Sequence, residues 1–286
     1  MNVDIIAVPY DSGLRATRMG RGPDHLLALG IAEQLQALGN EVHVRHVEPP
    51  ADVFPSEIRM ALELQRAVAL AVTDAAQRGV FPLVLSGNCN IAVGILAAIR
   101  AVRGRSPAVC WFDAHADFNT PESTIGGFLD GMAVSMLTGH CWRGLTAQVP
   151  GFEAVPEAQV LMLGARDIDP LERELLERSS IRIAARPAQP GAEVDAIIAA
   201  AGAPDLYLHL DLDALDVSEG RANGYAVTGG LSRSDLFAAI DAIGSRGAIR
   251  AVAITAYDPE CDRGGGIGRI AIEAASRIVA ATHARN

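Results

Sequence analysis

The chain has 286 residues, half of them hydrophobic, which is ample for a buried core and leaves no stretch polar enough for extended disorder. Its formal net charge of −10, with Lys and Arg nowhere in a basic run, argues against a nucleic-acid polyanion as partner. Four cysteines, Cys89, Cys110, Cys141 and Cys261, lack the paired spacing of a disulfide framework or a zinc ribbon.

In chain order, Met1 to Tyr10 lacks the basic region, apolar stretch and cleavage site of a secretory signal, so the cytoplasm is the expected compartment. Short runs rich in Val, Ile and Leu predict strands at Val3 to Val8, Glu41 to Val47, Phe81 to Ser86, Ala108 to Phe112, Gln159 to Gly164, Ile181 to Ala184, Leu206 to Leu210 and Arg250 to Thr255. Between them, helical patterns cover Pro23 to Leu38, Glu57 to Arg78, Ile91 to Val102, Pro170 to Arg178, Glu193 to Ala201 and Arg233 to Gly244, with a last one around Ile267 to Thr282. The most apolar long stretch, Ile58 to Ala76, carries Arg59, Glu63, Arg66 and Asp74, which reads as a buried helix and not a membrane span. Alternating βα units predict an α/β fold around a mainly parallel sheet of eight strands. No repeat, low-complexity tract or linker divides the chain, so residues 1–286 are expected to form a single domain.

Two long irregular stretches, Phe118 to Gly131 and Asp216 to Leu231, follow carboxylate clusters at predicted strand ends. In open α/β sheets the ligand crevice lies beyond those ends. Asp113, His115 and Asp117 alternate after the apolar run Val109 to Phe112, and a continuing extended backbone would point all three to one face. Asp211 and Asp213 repeat the arrangement after Leu206 to Leu210. Four carboxylates and an imidazole in one crevice repel each other unless cations compensate them. Either cluster alone reads equally well as solvated strand-end caps; two together after apolar runs point to metal. Oxygen ligands with one nitrogen favour an ion such as Mn2+. Two such ions about 3.5–4 Å apart can share a bridging hydroxide.

The segment Asp113, Ala114, His115, Ala116, Asp117, Phe118, Asn119, Thr120, Pro121, Glu122 resembles the central signature of the arginase, or ureohydrolase, family. The likeness continues in Tyr10 to Gly13 with Met19 to Pro23, in Gly164 to Pro170, and in Asp211 to Asp216 followed by Gly229 to Leu231, so it spans nearly the whole chain. It implies a three-layer arginase-like fold, two divalent metal ions and hydrolysis of a C–N bond in a small guanidino or amidine substrate. Carried over by position, Asp113 and Asp211 would bridge both ions, Asp117 would complete one site, and His115 with Asp213 the other. Assembly as a homo-oligomer is a further analogy with the trimers and hexamers of the family.

The chain departs from the arginase pattern in three places. The loop Ser86 to Asn90 carries Cys89 where most members have a histidine ligand; it reads either as a ligand or as an inert buried residue. A thiolate ligand makes Mn2+ less secure and brings in Zn2+ or Fe2+. N-hydroxyarginine hydrolases resemble this chain in having cysteine there. Asp130 aligns with a histidine thought to shuttle protons to the leaving amine, which needs a raised pKa, or it is a polar loop residue. Asn119 and Asp169 match residues that contact the substrate carboxylate and amino group, although Asn119 also fits a turn before Pro121 and Asp169 a helix cap. Gly126, Phe128 and Ala256 stand where arginases have hydrogen-bonding side chains, with Glu122 or Glu260 as substitutes that sequence cannot place. Plain L-arginine is therefore an unexpected substrate. His209 points to the same side as Asp211 by alternation and fits a proton carrier, a partner orienting a ligand, or a satisfied core histidine. Two other readings stay open: Cys89 as a covalent nucleophile on guanidines, and a non-catalytic relative that keeps metal for stability.

Overall fold

The computed structural model describes residues 1–52, 56–184 and 186–282, and residue 283 by its backbone alone. All eight apolar runs join one sheet: β1 (Asn2–Val8), β2 (Glu41–His46), β3 (Phe81–Ser86), β4 (Ala108–Phe112), β5 (Val160–Leu163), β6 (Arg182–Ile183), β7 (Asp205–Asp211) and β8 (Ala248–Thr255). Their spatial order is β2-β1-β3-β8-β7-β4-β5-β6, with every pairing parallel. A parallel sheet covered on both faces needs strands that are apolar on both, and β3, β4, β5 and β7 are buried at every position.

The helices are α1 (Gly22–Ala28), α2 (Ile31–Ala37), α3 (Glu57–Gln77), α4 (Ala92–Arg103), α5 (Ala133–Thr138), α6 (Arg143–Thr146), α7 (Pro170–Glu177), α8 (Gly191–Ala201), α9 (Arg233–Gly244) and α10 (Gly266–His283). Strand alternation sends Trp111, Tyr207 and Ala253 into a core shared with α3, α4 and α5. Phe112, Leu208 and Val252 point into the opposite core, with Leu26, Leu35, Val194, Leu236 and Ile267 from α1, α2, α8, α9 and α10. The result is three layers, helix, sheet and helix. No described helix is long and apolar enough to cross a membrane.

Differences from expectation have local causes. The helix expected over Pro23 to Leu38 is two helices, because Gly30 takes φ +92° between them, a conformation open to glycine. The sixth strand shrinks to two exposed residues at the sheet edge. A small hairpin, Tyr10–Asp11 against Leu14–Arg15, was not anticipated. It packs over the loop after β3, where a Cβ on Gly87 would lie 2.2 Å from the Tyr10 carbonyl oxygen, so only glycine permits the approach.

Candidate metal centre

The loops leaving β3, β4, β7 and β8, the four central strands, converge on a cavity of about 270 Å3. Cys89, His115, Asp117, Asp211 and Asp213 line it. Two sets of donor atoms lie within 4.8 Å of one another: Cys89, Asp113 and Asp117, all buried, and Asp113, His115 and Asp213. Asp113 belongs to both. Asp211 adjoins the first set, its Oδ2 3.1 Å from Cys89 Sγ.

Turns, not pleat, gather these side chains, which corrects the expectation of a continuing extended strand. β4 ends at Phe112, and the Asp113 carboxylate accepts the amide of His115 at 2.7 Å. Asp211 likewise accepts the amide of Asp213 at 2.8 Å. Each is an Asx-type turn, in which a short carboxylate satisfies the amide two residues on. Asp117 then takes φ +49°, a left-handed conformation that aspartate tolerates better than most residues. Its carbonyl oxygen accepts the amides of Val134 and Ser135 at the start of α5.

Electrostatics follow from crowding. Burial, then the charge of Asp213, raises the pKa of Asp113; burial and neighbouring acids push Asp117 and Asp211 far above the usual carboxylate range. Burial opposes protonation of His115, but Asp113 and Asp213 prevail and hold it up at about 9. Among the described residues, Asp113, Asp117, Asp211 and Asp213 form no ion pair with an arginine; the cations facing them are at most His115. A buried set of oxygen, sulfur and imidazole donors, clustered this closely and lacking a protein counter-charge, fits divalent cations.

The remaining expected residues fall into distinct places. Asp130 is buried at the cavity wall, and both its oxygens are occupied: Oδ2 accepts from Asn88 Nδ2 and the Cys89 amide, each at 2.9 Å, and Oδ1 from the Asn90 amide at 2.8 Å and its Nδ2 at 3.0 Å. Burial pushes it up to about 7. Asn119 and Asp169 also line the cavity and contact each other at 3.3 Å, while Asp169 forms a capping box with Glu172 at the start of α7. His209 does not line the cavity. It is fully buried, stacked on Trp111 with centroids 3.6 Å apart, and burial drives its pKa well down.

Several contributors carry no sequence signal of the kind used above. Asn223 donates to Asp213 Oδ2 at 3.1 Å and to the Ala256 carbonyl at 2.9 Å. Arg166 spreads its guanidinium over the carbonyls of Gly164, Asp213, Ala214, Leu215, Val227 and Thr228 at 2.9–3.4 Å, clamping the loop that carries Asp213. Arg166 lies in the quoted Gly164 to Pro170 motif, so its segment was visible although its task was not.

A binuclear hydrolase centre at the carboxyl edge of a parallel sheet is the class that fold and donors define, and comparisons with known proteins agree. The family model described as Arginase family matches residues 1–284. The arginase of Bacillus caldovelox is 28% identical over 276 residues, 91% of this chain and 92% of that protein; the arginase of Brucella melitensis is 29% identical over 290 residues, 96% and 94%. The crystal structure of arginase from Bacillus cereus superposes with TM-score 0.84 at 24% identity, covering 97% of this chain and 98% of that one. A hypothetical agmatinase from Burkholderia thailandensis gives TM-score 0.72 at 19% identity, 99% and 86%; these two likenesses show the fold. The chain belongs to the arginase family, whose proteins are metal-dependent hydrolases with a binuclear centre.

Proposed function

We propose that the chain hydrolyses a C–N bond of a guanidino, hydroxyguanidino or related amidine compound, with plain L-arginine outside its preferred substrates. The observation that carries this reading is the pair of donor sets sharing Asp113 on one cavity. Cys89, Asp113, Asp117 and Asp211 would hold one cation, and Asp113, His115, Asp211 and Asp213 the other. Mn2+ is the first choice for the oxygen and imidazole donors, and the Cys89 sulfur brings Zn2+ or Fe2+ into range. When bound, such cations supply Lewis acidity and an acidified water.

Asn119 and Asp169 are assigned to the polar end of the substrate, and Asp130, saturated by four N–H donors, to holding the Cys89 loop. Gly126, Phe128 and Ala256 line the cavity without offering a side-chain hydrogen bond, and Phe128 stacks with Tyr225 at 5.4 Å into an apolar wall. A substrate carboxylate against that wall loses water without gaining a donor, at a cost of about 1–3 kcal/mol or more that arginine and N-hydroxyarginine share; the preference between those two rests on the guanidine end, where Cys89 and Ala256 replace the family's usual side chains. The cysteine-nucleophile reading fits less well: burial and then Asp211 push the Cys89 thiol far up, the opposite of an activated nucleophile. Four free cysteines, three of them buried, suit a reducing compartment such as the cytoplasm.

The test joins metal analysis to a substrate panel of arginine, N-hydroxyarginine, agmatine and guanidino acids. Expected are two divalent ions per chain and metal-dependent release of urea or a urea-like product, with N-hydroxyarginine ahead of arginine. Full activity after chelation, lost on alkylating Cys89, would establish the nucleophile instead. Metal binding without turnover of any guanidine or amidine would leave a non-catalytic relative.

A further inference from the structure

Cys89 Sγ ends a string of hydrogen bonds that runs through the core. Tyr207 Oη lies 2.8 Å from His209 Nδ1, His209 Nε2 3.2 Å from Thr255 Oγ1, and Thr255 Oγ1 3.3 Å from Cys89 Sγ. Tyr207, His209 and Thr255 are 0%, 0% and 1% exposed. Alternation puts Tyr207 and His209 on one face of β7, and parallel register sets Thr255 beside Asp211. Trp111, the register neighbour of His209 on β4, stacks on the imidazole with an interplanar angle of 4° and donates its indole N–H to Asp113 Oδ2 at 3.1 Å.

Hydrogen-bond accounting gives the string a direction. A neutral imidazole has one donor and one acceptor nitrogen. The Tyr207 hydroxyl has no other described partner, so it donates to Nδ1; the reverse would strand a buried O–H. The Nε2–H then donates to Thr255 Oγ1, and the threonine hydrogen is left for Cys89 Sγ or the Leu210 carbonyl, 3.4 Å away. Donors therefore run one way as far as Thr255, whose hydroxyl lies closer to the sulfur, at 3.3 Å, than to the carbonyl. The other side of the sulfur faces Asp211 Oδ2 at 3.1 Å, where an arriving cation would displace the thiol proton to solvent.

We propose that Tyr207, His209 and Thr255 are positioning residues that hold the Cys89 sulfur as a hydrogen-bond acceptor and metal ligand, and so tune the first of the two cation positions. The inference rests on Cys89 being a ligand, as proposed above. A hydrogen bond to sulfur stabilises its lone pairs; without it, transfer of charge from sulfur to metal needs less energy.

The test uses the full-length protein, stripped by chelation and titrated with Co2+, reading the sulfur-to-cobalt charge-transfer absorption, the ligand-field bands and the bound stoichiometry. Wild type should show the charge-transfer band and Cys89→Ala should lack it. Thr255→Val should move the band to longer wavelength and weaken the first Co2+ about ten- to a hundredfold, the usual effect of losing a partner behind a ligand; Thr255→Ser should restore both. If Thr255→Val does not fold, Tyr207→Phe should give a smaller shift in the same direction. An unchanged band and affinity in the folded variants overturn the inference and leave Cys89 as a ligand. Two bound cobalt ions without a charge-transfer band in wild type overturn the inference together with the assignment of Cys89 itself.

Discussion

β7 carries an aspartate at each end, and the two sit in opposite surroundings. Asp205, at the amino end, is buried, yet Arg250 Nε reaches its Oδ1 at 2.6 Å and Arg103 Nε its Oδ2 at 3.2 Å. Burial alone would push Asp205 up, but the two guanidinium groups prevail and hold it below the usual carboxylate range. Asp4 on β1 has the same arrangement with Arg45 and Arg78. Asp211, roughly 20 Å further along β7 at the usual rise per residue, meets Asp113, Asp213 and Cys89 and is raised instead. At the amino end of the sheet Asp4 and Asp205 are neutralised by arginine; at the carboxyl end of the central strands the clustered acids have no described arginine partner and could hold a cation instead. A perturbed carboxylate is thus a pointer to function here only where its neighbours leave the charge uncompensated.

Asp113→Ala should break the carboxyl edge outright. Because this residue serves both donor sets, the variant is expected to lose both ions and all hydrolysis. Without metal, relief of one repelled buried charge is set against the loss of the acceptor for the His115 amide and the buried Trp111 indole N–H, so its Tm should lie close to that of metal-free wild type. Added Mn2+ should raise the Tm of wild type only. Metal content, turnover and melting curves check this, and unchanged turnover would sink the two-metal reading.

Arg166 sharpens the contrast, because it is a cation near the carboxyl edge that serves carbonyls and not carboxylates. Arg166→Ala should cost about 1–3 kcal/mol, the scale for carbonyls left without a partner, and should loosen the His115 and Asp213 position more than the Cys89 position. Arg166→Lys should recover little, because a point charge cannot reproduce the planar fork. Urea denaturation and metal stoichiometry separate the two effects; equal weakening of both ions would contradict the assignment of Arg166 to the Asp213 loop. At the other edge, Asp205→Ala should cost about 1–2 kcal/mol, less than a fully buried pair because both guanidinium groups reach solvent. It should leave metal content untouched. A loss of bound metal in that variant would dissolve the distinction between the edges.

Legibility in the sequence followed the same division. Six of the strands are mostly buried and read as apolar runs, and the ligand acids were visible because they interrupt such runs abruptly; the edge strands β2 and β6 are largely exposed and were read from the valines and isoleucines they carry. Gly30 inside a helical pattern, and an aspartate at positive φ, leave the periodicity of side chains unchanged, so the helix break and the turn at Asp117 were not visible. Asn223, Thr255 and Arg166 act through partners distant along the chain, and their residue types are ordinary for a loop, a strand end and a surface. His209 was readable as a strand residue on the Asp211 side, with Tyr207 on the same face by alternation; that Trp111 stacks on it depends on register between strands almost a hundred residues apart, which no local pattern encodes.

The smallest expected effect is a reversal of slope with pH. Asp205 has a folded pKa below its unfolded value, so its ion pairs contribute stability above the unfolded value and lose it only as pH falls through the depressed one. Asp113 and Asp211 are raised, and Asp130 stands at about 7; folded, these carboxyls bind protons more tightly than unfolded. His115, held at about 9, pulls the same way. In metal-free protein their contribution is therefore fully present near the unfolded carboxylate value of about 4 and is lost as pH rises through the raised values. Acidifying the metal-free protein from about pH 8 to about pH 6.5 should raise its Tm; below that the gain shrinks, because His209, held neutral by burial, takes up a proton only in the unfolded chain. With metal bound the slope inverts, because protons compete with cations for the same oxygens and release of the ions removes their stabilisation. Melting series with and without Mn2+ should then converge as pH falls. A metal-free protein that only loses stability over that range would mean that the carboxyl edge compensates its own acids, and Asp211 would be no different in kind from Asp205.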